Sequence, residues 1–252
     1  MSASCSSSAA SAAPLHVYIG TEDDQLVPQK VLAYSIQRSA SRPVALHPVK
    51  QHQRRVGGTH FGFVRFHVPR LNGYAGRAIY LDADQLVFHD IHALAAQLDD
   101  RHAIGLVNDP QGTFGGKPVG RHNQTSVMVM DCAQLGDWDP DTLFGPVVPN
   151  RTEPGPGQVR YRDFMMLSWF DPARIQPIDP RWNHFNIVTP DTRLTHFSHV
   201  RSQPWRNPAH PLTPLWRRWL REAVRAGAVG RGELLREIWR GAVHRRFLPC
   251  AL

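Results

Sequence analysis

Several residue types and patterns are scarce or missing in this chain, and each absence narrows what it can be. Cysteine occurs three times, as Cys5, Cys132 and Cys250. Their odd number and wide spacing exclude a disulfide framework and a CxxC metal site, and predict a reducing, cytoplasmic compartment. No run of eighteen apolar residues exists, so no membrane span is expected. Residues 1–14 are rich in serine and alanine and lack both the basic opening and the apolar core of a signal peptide; they read as a short disordered tail. No internal repeat is visible, and no glycine-rich phosphate loop follows the first apolar segment, which counts against a nucleotidyltransferase.

What is present fits a globular enzyme-sized domain. The 252 residues are 42% hydrophobic and 20% charged, enough for one large α/β domain or two small ones. The net charge of +8 is unevenly placed. Between Leu212 and Leu252, nine arginines stand against Glu222, Glu233 and Glu237, so this stretch holds most of the excess. Basicity is a property of the tail, and no recognition motif accompanies it, so specific nucleic-acid binding is not expected. Two helical stripes run through the same stretch: Leu215, Trp216, Trp219, Leu220, Ala223 and Val224, then Leu234, Leu235, Ile238, Trp239 and Val243. They read either as helices docked on the domain with a solvated basic face, or as an interfacial surface for anionic lipid at the inner face of the membrane. The expected organisation is a tail at 1–14, a domain over 15–205 and a basic helical extension over 206–252.

Along the domain, strands are predicted at 15–20, 44–49, 78–81, 103–107, 126–130 and 193–197, and an apolar run resumes at 86–88. Helices are predicted after Pro28, around 61–66, at 91–98 and at 164–170, with Pro69 opening a turn. Residues 111–117 and 146–157 read as glycine- and proline-rich loops. Strands alternating with helices indicate a mostly parallel sheet covered by helices, an α/β fold.

Chemistry concentrates at Asp82-Ala83-Asp84. These carboxylates follow the short apolar run of residues 78–81, which has the pattern of a fully covered strand. The carboxyl ends of such strands are where open α/β sheets bind ligands. Burying two carboxylates there requires a compensating cation, and hard oxygen donors suit Mg²⁺ or Mn²⁺ completed by substrate phosphates.

The segment Arg77-Ala-Ile-Tyr-Leu-Asp-Ala-Asp-Gln-Leu-Val87 resembles the metal-binding strand and loop of the family 8 glycosyltransferases, which have the GT-A fold. Further motifs follow in the family's order over residues 15–205. Phe63-Val-Arg-Phe66 resembles the segment with a donor-binding arginine, and Gln124-Thr-Ser-Val-Met-Val-Met-Asp131 resembles a strand usually opening on Asn. Tyr161-Arg-Asp-Phe-Met-Met-Leu167 resembles the Asp-Gln stretch. Trp182-Asn183, Leu194-Thr-His-Phe-Ser198 and Gln203-Pro-Trp205 resemble the closing motifs.

This resemblance implies a retaining transfer of a hexose from a UDP-sugar to a glycan, glycolipid or small-molecule acceptor. Asp82, Asp84 and His196 would hold the metal, an imidazole favouring Mn²⁺ over Mg²⁺. Gly20, Thr21 and Glu22 would hold the nucleotide base, and Ala83 lies within the metal loop. Arg65 would bind the diphosphate or sugar, and Gln124 and Asp109 would contact the transferred sugar. Asp163 would be the carboxylate beside the oxocarbenium-like sugar. Plainer readings stand beside these: His196 as a hydrogen-bonded core residue, Asp163 as an N-cap for 164–170, Trp182 and Trp205 as packing. Phe164, Met165 and Gln203 replace the family's Gln, an acid and Lys. They raise a second reading, a weakened relative that binds nucleotide-sugar without turnover, with Arg201 in place of the lost cation.

Overall fold

The computed structural model describes residues 13–50, 62–114 and 117–251, with side chains at all of these except 110–122. Nearly all of the predicted tail, residues 1–12, lies outside the described residues, as do Phe61 of the predicted helical stretch and Gly115 and Gly116 of the predicted glycine-rich loop.

The chain order is β1 (Leu15–Gly20), α1 (Leu26–Ser39), β2 (Val44–Val49), α2 (Val68–Leu71), β3 (Arg77–Asp82), β4 (Gln85–Val87) and α3 (Ile91–Ala95). There follow β5 (Ile104–Phe114), β6 (Lys117–Asp131), α4 (Pro140–Leu143), β7 (Val147–Val148), β8 (Val159–Arg160) and α5 (Tyr161–Met165). The last elements are β9 (Ile175–Pro177), β10 (His184–Phe185), β11 (Leu194–His196), α6 (Thr213–Arg225) and α7 (Arg231–Trp239). Six strands form the main sheet in the order β2-β1-β3-β6-β5-β9. The β2-β1-β3 and β5-β9 junctions are parallel, and β6 runs antiparallel to both neighbours. A smaller sheet, β10-β11-β4, lies beside it.

Alternation along β3 shows why this region reads as apolar throughout. Ala78 and Tyr80 belong to one core cluster with Phe63, Phe66, Met128 and Trp138; Ile79 and Leu81 belong to another with Val17, Leu32, Val127 and Trp182. Successive side chains point to opposite faces, both covered, so no polar residue is tolerated until the strand ends. It ends at Asp82.

Two local expectations are corrected. Residues 111–114 and Lys117, predicted as loop, belong to strands: β5 and β6 continue their ladder to the Phe114–Lys117 pair, with register shifts at Leu106/Val107, Asp109/Gly112 and Gly112/Thr113. Such irregularities let glycine and proline sit within a strand. The predicted helix at 164–170 starts at Tyr161 and stops at Met165, because Leu167 adopts a positive φ of 56°, a left-handed conformation no helix accommodates.

The basic tail is docked. Trp216, Leu220 and Ala223 of α6 and Leu234 of α7 are buried with Val27, Val31, Leu86, Phe197 and Trp205 in a third cluster. Lys30 of α1 holds Glu233 at 2.6 Å, and Arg38 pairs with Glu222. The arginines of α6 at 218, 221 and 225 are exposed, and Trp239 is left 88% exposed. No described helix is long and apolar enough to cross a membrane.

Candidate active site

The carboxyl ends of β1 and β3 meet the end of β11. Tyr80 and Asp82 share one face of β3, and Tyr80 Oη donates to Asp82 Oδ1 at 2.7 Å. Gly20 is the register partner of Asp82. A Cβ on Gly20 would lie 2.8 Å from Tyr80 Cζ, so glycine keeps room for the phenol that orients the carboxylate. Gly20→Ala is therefore expected to destabilise the fold by about 1–3 kcal/mol and to weaken metal binding, read by thermal denaturation and a Mn²⁺ titration.

Arg65 arrives from a 3-10 turn over Val64–His67. Phe63 and Phe66, three apart, bury together in the core, and Arg65 between them turns to the site. Its Nη2 donates to Asp82 Oδ1 at 3.0 Å, its Nη1 donates to Thr125 Oγ1 at 2.7 Å, and the guanidinium lies 5.0 Å from the centre of the Tyr80 ring. Thr125 in turn donates to the Met165 carbonyl at 2.9 Å.

β4 brings the remote histidine in. Gln85 pairs with His196 across the antiparallel β4–β11 ladder, and Phe197 N donates to the Asp84 carbonyl at 2.9 Å. His196 Nε2 stands 3.2 Å from Asp84 Oδ1. That oxygen nonetheless has no well-formed hydrogen bond, and neither has His196 Nδ1. Close approach without hydrogen-bond geometry suits two donors aimed at a shared third atom. One ligand atom from each of Asp82, Asp84 and His196 lies within 4.8 Å of the others, and all three residues are buried. This donor set fits a divalent metal.

Gln203 completes the arrangement. It is 1% exposed, and its Nε2 donates to Asp84 Oδ2 at 2.8 Å and to the Phe197 carbonyl at 3.0 Å. It therefore leaves Oδ1 for the metal. Gln203→Ala is expected to reduce Mn²⁺ affinity by about 10–100-fold, as loss of a ligand's outer partner commonly does; Mn²⁺ electron paramagnetic resonance would measure it.

Charge balance favours a cation. Burial raises the pKa of Asp82; Arg65 opposes this and Asp84 adds to it. Burial lowers the pKa of His196, but the negative charges of Asp84 and Asp82 outweigh it, and the net shift is upward. In the metal-free protein His196 thus holds its proton to higher pH than a free imidazole, and a metal must displace that proton. Mn²⁺ affinity is expected to rise with pH until the folded-state pKa of His196 is passed, by up to about tenfold per pH unit below it. Titrations across the neutral range test this; a flat profile would remove His196 from the ligand set.

A cleft of about 240 Å³ opens over these residues, lined by Glu22, Asp24, Gln25, Arg65, Asp82, Asp84, His196, Ser198, Val200 and Arg206. Arg206 crosses its mouth to pair with Asp24. Of the residues singled out in the sequence, Arg65, Asp82, Asp84, His196 and Glu22 therefore converge. Buried Thr21 links β1 to the cleft loop, its N–H donating to the Val49 carbonyl at 3.0 Å. Ala83 is buried, with its N–H on the Gly20 carbonyl at 2.9 Å. Gln124, Asp109 and Asp163 are not in the cleft lining. Gln124 accepts from Asn183 Nδ2 at 2.9 Å, and Asp109 sits half-buried on β5. Asp163 lies within the first turn of α5, whose N-cap is Arg160, and is paired with Arg162 at 3.1 Å. Arg201 is exposed and outside the cleft; Arg206, with Arg65, lines it. Trp182 and Trp205 are fully buried packing residues. Tyr80, Thr125 and Arg206 carried no signal in the sequence, because their places depend on pairings between distant segments.

No protein-family profile matches the chain. Among curated proteins, Protein CDI of Arabidopsis thaliana is 26% identical over 231 residues, which is 81% of this chain and 84% of that one. Among solved structures, the galactosyltransferase LgtC in complex with donor and acceptor sugar analogs superposes with a TM-score of 0.58 at 12% identity, over 81% of this chain and 95% of its own. The glycosyltransferase GlyE of Streptococcus pneumoniae gives 0.61 at 15% identity, over 82% of this chain and 60% of its own. The bifunctional glycosyltransferase WbbM gives 0.61 at 11% identity over 82% of this chain, which spans only half of WbbM. The mixed sheet, its helical cover and these superpositions agree: this chain has the GT-A glycosyltransferase fold.

Proposed function

We propose that this protein is a metal-dependent, retaining glycosyltransferase that moves a hexose from a UDP-sugar to a glycan, glycolipid or small-molecule acceptor. The observation that carries the reading is the convergence of buried Asp82, Asp84 and His196 in a cleft walled by Arg65. Two carboxylates against one guanidinium leave a negative balance, which a divalent cation reverses into one suited to a diphosphate. Held by these three residues, Mn²⁺ (or Mg²⁺) supplies positive charge against the leaving diphosphate. Arg65 fixes Asp82 and presents a second cation; Glu22 lines the cleft, and Gly20, Thr21 and Glu22 are assigned to the nucleotide on family resemblance. Gln124, Asp109 and Asp163 are assigned to the sugar side on family resemblance. Asp163 must exchange Arg162 for the sugar to serve there.

The test is UDP release from a panel of UDP-sugars with Mn²⁺, run beside UDP-sugar binding. Metal-dependent release from one donor names the sugar; absence of both release and binding overturns the reading.

A second reading rests on Phe164. Its ring lies 4.7 Å from that of Phe66 and 5.1 Å from that of Trp169, buried in an aromatic cluster, so no polar side chain stands where the family has Gln. A protein that binds nucleotide-sugar without turnover would show tight binding and no release. Peripheral contact with anionic membrane, at the cytoplasmic face, is carried by Trp239 and the outward arginines. Because α6 and α7 cover the core, deleting them would unfold the domain, and flotation of Trp239→Ser with anionic vesicles is the sound test: unchanged recovery counts against this contact.

A further inference from the structure

Beside the metal cleft lies a second concavity of about 550 Å³, bounded by Arg201, Arg206, Ile238, Val243, His244 and Arg245. Arg206 lines both spaces, so the two adjoin. The chain makes this unavoidable: Val200 borders the cleft and its neighbour Arg201 borders the groove. Three guanidiniums and an imidazole face the groove and no carboxylate lines it. Arg206 is paired with Asp24. The side chains of Arg201 and Arg245 have no ion pair or hydrogen bond among the described residues.

His244 is positioned rather than loose. Its N–H donates to the Trp205 carbonyl at 2.7 Å, and its Nδ1 accepts from Arg246 N at 3.1 Å. A neutral imidazole that accepts at Nδ1 carries its proton at Nε2, so the ring offers the groove a donor. Ile238 and Val243 supply an apolar floor. Planar guanidiniums and an N–H donor around such a floor match the oxygens of a phosphate attached to a less polar body.

We propose that this groove binds the phosphate group of a phosphate-bearing acceptor and so delivers its hydroxyl to the donor across Arg206. The proposal rests on the glycosyl-transfer reading for its purpose. The phosphate is not consumed. The acceptor hydroxyl oxygen forms the new bond to the anomeric carbon and gives up its proton to solvent, while the electron pair of the broken carbon–oxygen bond leaves with UDP. A soluble phosphate ester and a phospholipid-linked glycan share this chemistry.

The test uses the full chain in chelator, so that the metal cleft is not loaded. Glycerol 3-phosphate is titrated by calorimetry, and phosphatidylcholine vesicles with and without phosphatidic acid are tested by flotation. The variants are Arg201→Gln with Arg245→Gln, and, as an equal charge loss on the exposed face of α6, Arg221→Gln with Arg225→Gln. The expected result is that the groove pair weakens binding of at least one probe by roughly 10–100-fold, as loss of charged hydrogen bonds does, while the α6 pair changes it little. Which probe binds distinguishes the soluble from the lipid source. Binding of neither probe, equal weakening by both pairs, or vesicle binding abolished only by Trp239→Ser overturns the groove. Mn²⁺-dependent UDP binding, measured on the same proteins, reports separately on the transferase reading, and the groove pair is expected to retain it.

Discussion

Asp84→Asn is expected to lower metal-dependent UDP release by about two to three orders of magnitude, the range seen when one preorganised charge-stabilising group is lost. Loss of charge is only part of the cause. Gln203 Nε2 donates to Asp84 Oδ2 at 2.8 Å, so the new amide must present its carbonyl oxygen to Gln203. Its NH₂ then points to His196 and the metal position, where a donor opposes a cation. The fold should survive, because the substitution removes a buried carboxylate that already raises the pKa of Asp82. Thermal unfolding makes the distinction concrete. Wild type should gain stability with Mn²⁺ and UDP, about 2.7 kcal/mol at a hundredfold excess over the dissociation constant, and the variant should gain almost none. A variant that releases UDP at the wild-type rate, with an undiminished Mn²⁺ shift, would remove Asp84 from the site.

The same pair of residues shows what the sequence disclosed and why it stopped there. Asp82 and Asp84 were legible because a strand covered on both faces tolerates no charge until it ends, so an apolar run closing on two carboxylates announces a ligand end. His196 was legible only through family resemblance. Its nearness to Asp84 follows from the β4–β11 register, which no local pattern encodes. Gln203 read as a lost cation because its letter differs from lysine; the fold turns it inward, where its amide nitrogen bridges Asp84 and a backbone carbonyl. Gly20 read as the end of a strand, yet its reason is a tyrosine sixty residues on. The extension of β5 beyond residue 107 and of β6 before residue 126 was missed because glycine and proline argue for a loop unless bulges absorb them, and bulges belong to a pair of strands. The tail's two stripes were read correctly as helices, but whether they met lipid or protein depended on the exposed face of α1, invisible from either segment alone.

Arg65→Leu is expected to destabilise the metal-free protein by about 3–5 kcal/mol near pH 8, because it leaves a buried carboxylate without its countercharge. For a domain of this size that corresponds to a fall of roughly 6–20 °C in the thermal midpoint. Three contacts go at once: the ion pair with Asp82 at 3.0 Å, the bond to Thr125 and the stacking over Tyr80. The pH dependence identifies which matters most. Burial has already raised Asp82, with Arg65 the main opposing influence, so removing Arg65 lifts the folded-state pKa further above its unfolded value. A carboxyl whose folded pKa is raised favours the folded state when protonated and opposes it when ionised. The deficit relative to wild type should therefore shrink as the pH falls through the folded pKa of Asp82 and be largest above it. Combining Arg65→Leu with Asp82→Asn should recover much of the loss, since both charged partners are then gone. Mn²⁺ should stabilise the single variant more than wild type if it retains affinity, because the cation replaces the missing positive charge. A deficit independent of pH and untouched by Asp82→Asn would instead assign the effect to packing around Phe63 and Phe66, and Arg65 would lose its place as the counterion that readies Asp82 for the metal.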